Sequence, residues 1–110
     1  MEENKFGEDV KLPSDRELIV KLAFEYKSQN RFEEAVEEFK KVIEYHGEDA
    51  NILLIIAMIM VKEMNLLSDA LPYASRAVEL LPNSEKASLT LFHCYFDQGL
   101  KIPILVLHSI

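Results

Sequence analysis

One cysteine, Cys94, is all the thiol this sequence holds. It cannot close a disulfide within the chain, and it cannot supply a Cys-rich zinc or iron–sulfur site. Within a periodic helical stretch it reads as a small buried hydrophobe. Glycine is nearly as scarce, at 3 residues, and tryptophan is absent. A chain with so few breakers, 49% apolar and 28% charged, has the balance of a folded protein. Cations are in deficit, because 12 Lys and Arg face 19 Asp and Glu, a formal charge of -7. Bases so few, and not clustered, do not hold a phosphate backbone, so no nucleic acid is expected as a partner. The longest apolar run, Ile52 to Val61, is half of the roughly 20 residues a membrane helix needs, and no membrane insertion is expected. The opening Met-Glu-Glu-Asn-Lys is acidic and leads into no apolar stretch, so it is not a signal peptide, and the expected location is cytoplasmic. A chain of 110 residues makes one domain at most, too small for a complete Rossmann or TIM-barrel enzyme.

Chemistry-bearing motifs are missing as well. His46, His93 and His108 share no ligand spacing. No His-Glu-x-x-His, Cys-x-x-Cys, phosphate-cradling Gly-Lys loop or Gly-x-Ser-x-Gly occurs. His93 and Cys94 are adjacent, and neighbours on a helix diverge by about 100°, so they do not make a thiol–imidazole pair. No catalytic residue, metal or cofactor is expected, and the protein reads as non-enzymatic. Glu33, Glu34, Glu37 and Glu38 form an acidic group that reads as a solvated outer face and also suits a basic partner. The first 50 residues carry 14 acids and 8 bases, and the last 60 carry 5 and 4, so nearly all the net charge sits at one end.

What is present is helical periodicity. Residues 1–12 are polar and aperiodic, a flexible lead into a helical domain over 13–110. Ser14, with Glu17 three residues on, predicts a capping box. Ile19, Leu22, Ala23 and Tyr26 then mark one apolar face. After the polar turn 28–31, Phe32, Ala35, Val36, Phe39, Val42 and Ile43 mark a second amphipathic helix, ending at Gly47, which suits the left-handed C′ place. A third helix is predicted over Ala50–Lys62, although its β-branched run is also compatible with a buried strand. A fourth follows over about Ser68–Leu81, with Ala70, Ala74, Ala77 and Val78 inward and Pro72 near its first turn. A fifth runs over about Glu85–Gln98 and stops at Gly99, and Pro103 opens a possible sixth. Short helices, shorter turns and no strand signal predict an all-α array of antiparallel helix pairs.

The pattern repeats. Ala35 and Ala70 lie 35 residues apart, as do Val42 and Ala77, and Gly47 and Pro82. The first pair reads Leu22-Ala23-x2-Tyr26, then Ala35-x3-Phe39-x2-Val42. The second reads Ala57-Met58-x2-Val61, then Ala70-x3-Ala74-x2-Ala77-x4-Pro82, and a third offers Leu91-Phe92-x2-Tyr95. These residues resemble the tetratricopeptide repeat, a helix–turn–helix unit of 34 residues. Ile19 and Leu54 stand at the family's Trp place, and Ala23 and Met58 where it has a small residue. Met58 departs from that pattern. Repeats fall at about 16–49, 51–84 and a partial 85–110, with the extra residue assigned to the His46–Ala50 loop. The resemblance implies a short tetratricopeptide-like superhelix in which stacking supplies the core that no single pair can bury.

It also implies a groove lined by the first helix of each pair. The places that usually face it hold Glu17, Val20, Phe24 and Lys27 in the first repeat, Ile52, Ile55, Ile59 and Lys62 in the second, and Lys86, Leu89, His93 and Phe96 in the third. The expected partner-binding surface is therefore Val20, Phe24, Ile52, Ile55, Ile59, Leu89, His93 and Phe96. Family members that clamp a peptide carboxylate use Lys, Asn and Arg. The corresponding places here hold Val20, Phe24, Ile56, Lys86 and Thr90, of which only Lys86 matches. An apolar groove instead suits a protein or peptide partner presenting an apolar or amphipathic helix. Such a module would be a scaffold or a small chaperone-like adaptor. The alternative is a structural unit that self-associates through the groove or the C-terminal end, or a fragment of a longer repeat protein. Ile104, Leu105, Val106, Leu107 and Ile110 are too apolar for a terminal helix with a wet outer face. The groove is also open to covering by residues 1–12 or by a second copy.

Overall fold

The computed structural model describes residues 15–97. Five α-helices account for nearly all of them: α1 (Arg16–Ser28), α2 (Phe32–His46), α3 (Ala50–Lys62), α4 (Leu67–Leu80) and α5 (Glu85–Phe96). No strand occurs among the described residues, and Ile52–Val61 is helical throughout. The helices pack in adjacent antiparallel pairs, α1 with α2, α3 with α4 and α4 with α5. The chain divides into two compact units at Glu48 and Asp49. The lead over 1–12, the Ser14 cap, the stop at Gly99, the sixth helix and the apolar tail 104–110 lie outside the described residues.

In the first unit, α1 is capped by Asp15, whose carboxylate accepts from the Leu18 N–H at 3.3 Å. The cap thus falls one residue after Ser14, and Glu17 lies in the first turn. There its charge favours the positive end of the helix dipole. The α1–α2 turn is a Schellman closure. Arg31 N–H donates to Tyr26 C=O at 2.9 Å, Asn30 N–H donates to Lys27 C=O at 3.0 Å, and Asn30 takes the left-handed place at φ 62°. The apolar contact that usually accompanies this motif is replaced by the Arg31 guanidinium, 4.7 Å from the centre of the Tyr26 ring. Ile19 and Ala23 of α1 are buried with Ala35, Val36, Phe39 and Val42 of α2. Ala23 and Ala35, both fully buried, let the helices approach, and Phe39 fills the wider gap with Phe24 edge-on at 5.1 Å. Gly47 ends α2 at φ 88° and ψ 176°, a conformation essentially confined to glycine but extended in ψ rather than left-handed helical.

The second unit packs three helices. Asp49 caps α3 by accepting from Asn51 N–H at 2.9 Å and Ile52 N–H at 3.2 Å, and Ser84 caps α5 by accepting from Ala87 N–H at 3.1 Å. Helix α4 presents Ala70, Ala74 and Ala77, all fully buried, so its neighbours can pack close to its backbone. Pro72 is the sixth residue of α4, a turn deeper than a first-turn site, and it has no N–H to give the helix ladder. Helix α3 buries Ile52, Leu53, Leu54, Ile56, Ala57, Ile59 and Met60, seven of its 13 residues. Ser88 is fully buried at the place along α5 that Ile19 and Leu53 hold in α1 and α3, four residues after each cap.

The caps settle the register of the repeat. Asp15 and Asp49 lie 34 residues apart, and so do the fully buried small residues Ala23 and Ala57. The helix starts Phe32 and Leu67, and the fully buried Ala35 and Ala70, lie 35 apart. The extra residue therefore enters the turn between α3 and α4, not the His46–Ala50 loop. The turns agree. Where Arg31 bonds back five residues to Tyr26, Leu66 N–H bonds back six to Met60 C=O, at 2.8 Å. Ala57, not Met58, takes the small-residue place, and the apparent departure at Met58 disappears.

Candidate functional site

A helix surface is read by its register, and the one-residue difference matters because it turns every place by about 100°. The surface places of α1, counted from its cap, are Glu17, Val20, Phe24 and Lys27, and those of α5 are Lys86, Leu89, His93 and Phe96. The equivalent residues of α3 are Asn51, Leu54, Met58 and Val61. The sequence-predicted Ile52 and Ile59 lie in the interior, at 4% and 2% exposure, and Ile55 is half-buried. A surface drawn through them is not open in the structure. The two Asp caps were the signal for the register, since each precedes a helical run at a spacing equal to the family's period.

In the first unit, Val20 is half-buried and Phe24 is 45% exposed, one edge of its ring held by Phe39. In the second unit, Leu89, His93 and Phe96 follow at four- and three-residue spacing and share one exposed face of α5. Phe96, at 61% exposure, stacks on Phe92 with ring centres 5.4 Å apart and planes 12° from parallel. Beside this face a cleft of about 240 Å³ lies between α3 and α5, lined by Met58, Val61, Lys62, Thr90, His93 and Asp97. Met58, Val61, Thr90 and Asp97 escaped the sequence-based site. The first two were displaced by the register, and the others lack any motif. The Thr90 hydroxyl donates to Lys86 C=O at 2.8 Å, which turns its methyl group outward from its own backbone bond. His93 Nδ1 lies 3.8 Å from the Asp97 carboxylate, both side chains about half exposed.

Reactive chemistry is poorly served. Cys94 is fully buried, and burial pushes its thiol up to about 11, with the nearby Asp97 charge adding to the rise. Such a thiol holds its proton at neutral pH and is a weak nucleophile. His93 is exposed while Cys94 is buried, so the two side chains point apart. Among the described residues no three His, Cys, Asp or Glu side chains converge to hold a metal ion. None of the described helices is long and apolar enough to cross a membrane. The acidic group on α2 lies mostly at the surface, and its members pair along the helix: Glu34 with Arg31, Glu37 with Lys40 at 3.8 Å, Glu38 with Lys41 at 3.0 Å. The hydrogen bond from Lys41 to Glu38 raises the Lys41 ammonium above its ordinary value. This face is locally compensated charge rather than an open acidic patch. Compared with known proteins, the chain matches no family model and no curated protein.

Proposed function

We propose that this chain is a non-enzymatic, tetratricopeptide-like protein-binding module of the cytoplasm, a scaffold or small chaperone-like adaptor that receives an apolar or amphipathic helix along the α3–α5 face. The observation that carries the proposal is the surface of α5. Leu89 and Phe96 stand exposed on one face, next to a cleft whose apolar floor is Met58 and Val61. Apolar side chains at helical spacing beside a shallow groove match the side chains of a helix laid into it. Removing such a face from water stabilises by about 25 cal/mol per Å², before the costs of ordering. The 34-residue spacing of the caps and of Ala23 and Ala57 supports the repeat assignment. Val20 and Phe24 are the equivalent surface of the first unit, and we propose that they extend the same function.

The test is a titration of the full chain against a labelled synthetic amphipathic helix with a leucine face, followed by fluorescence anisotropy. Binding should weaken at least about tenfold in Met58→Asp and in Leu89→Asp, since each places a charge against apolar partner surface. Circular dichroism should stay unchanged in both variants. Equal binding by the wild type and both variants would end the proposal. Self-association is the second possibility, favoured by the 61% exposure of Phe96, and sedimentation of the same variants decides it.

A further inference from the structure

The α3–α5 face carries two cations that the fold does not use. Arg31, Lys40, Lys41 and Arg76 each pair with a Glu three residues away on the same helix, Arg76 with Glu79 at 2.8 Å. Lys62 and Lys86 are both exposed, and among the described residues they make no ion pair. Lys62 lines the cleft at the C-terminal end of α3. Lys86 is the second residue of α5, seven positions before His93 and on the same side of the helix. Both helices run antiparallel to α4, so they run the same way as each other. At 1.5 Å per residue the two lysines stand on the order of 15 Å apart along the groove, one at each end. Between them lie Met58, Val61 and Leu89. The acids nearby do not cancel them. Asp97 faces His93, and Glu63 and Glu85 are chain neighbours of the lysines, turned about 100° away around their helices. The free N–H groups at the start of α5 add positive potential at the Lys86 end.

We infer that the helix received by this face is acidic at both ends and apolar between, with carboxylate side chains about ten or eleven residues apart reaching Lys62 and Lys86. The inference rests on the helix-binding role proposed above and adds the charge of the partner. Charge placed at the two ends fixes the register of a bound helix that apolar contacts alone would let slide.

Three labelled peptides of one helical sequence test it, with Glu, Gln or Lys at two positions eleven residues apart and leucines between. They are titrated against the full chain at low and at moderate salt. The Glu peptide should bind roughly fivefold more tightly than the Gln peptide at low salt, in keeping with two exposed ion pairs, and the margin should shrink as salt rises. The Lys peptide should bind worst. In the double variant Lys62→Glu, Lys86→Glu the order should invert, with an unchanged circular dichroism spectrum. Equal binding of the Glu and Gln peptides, or an order unmoved by the double variant, would overturn the acidic preference while leaving apolar docking in place. Failure of all three peptides to bind would overturn both.

Discussion

Phe39 shows what a single side chain does in the first unit. It is fully buried, between the close approach at Ala23 and Ala35 and the edge of Phe24. Phe39→Ala removes a packed aromatic and should cost about 3–5 kcal/mol. Glu37, two residues away, is exposed and reaches Lys40 only at 3.8 Å. Glu37→Ala should change stability by less than about 0.5 kcal/mol. Urea denaturation midpoints compare the two, and similar losses would put the wrong face of α2 inside. Cys94 makes a different kind of claim. Its thiol is raised from an ordinary value of 9.0 to about 11 in the folded protein. The unfolded chain therefore sheds this proton at lower pH than the folded one. The contribution to stability is complete below about pH 9 and is lost as pH climbs toward 11. Subtracting the stability–pH curve of Cys94→Ala from that of the wild type isolates it. A difference curve flat between those values would mean that Cys94 is not buried.

At the scale of the element, α3 separates two residues that the sequence makes look alike. Met58 and Ile59 are both large and apolar, and no polar residue interrupts Ile52 to Val61. Met58 is half-buried and lines the cleft, while Ile59 is 2% exposed. Ile59→Asp buries a charge with no partner and should unfold the second unit, a loss of more than about 4 kcal/mol. Met58→Asp should keep the helical spectrum and lose about 1 kcal/mol or less. Thermal melts followed by circular dichroism measure both. Unfolding by Met58→Asp with survival of Ile59→Asp would restore the register that puts Ile52, Ile55 and Ile59 outward.

For the whole molecule the question is what the exposed apolar face does in the absence of a partner. The formal charge of -7 opposes association of copies, and Lys62, Lys86 and Asp97 rim a cleft that is not purely apolar. The full chain should sediment as a 12.7 kDa monomer at micromolar concentration, and Phe96→Glu should leave that mass unchanged. A dimer that Phe96→Glu splits would replace the adaptor role with self-association through α5.

Much of this fold is determined by local sequence. Apolar residues at 3.6-residue spacing, Asn30 in its turn and the alanines of α4 suffice for five helices, for α3 over Ala50–Lys62 and for the burial of Ala35, Phe39, Ala70 and Ala77. These are effects between near neighbours, and a linear text records them. The surface was legible only in part. On α5 it could be read because Lys86 and His93 interrupt the apolar pattern and mark the outward side. On α3 it could not, because a helix apolar all round carries no phase of its own. Only tertiary structure decided it. Packing against α4 and α5 selected which methyl and methylene groups were taken from water, and the turn at 63–66, one residue longer than its counterpart, set the rotation at which Met58 and Val61, rather than Ile52 and Ile59, stayed at the cleft.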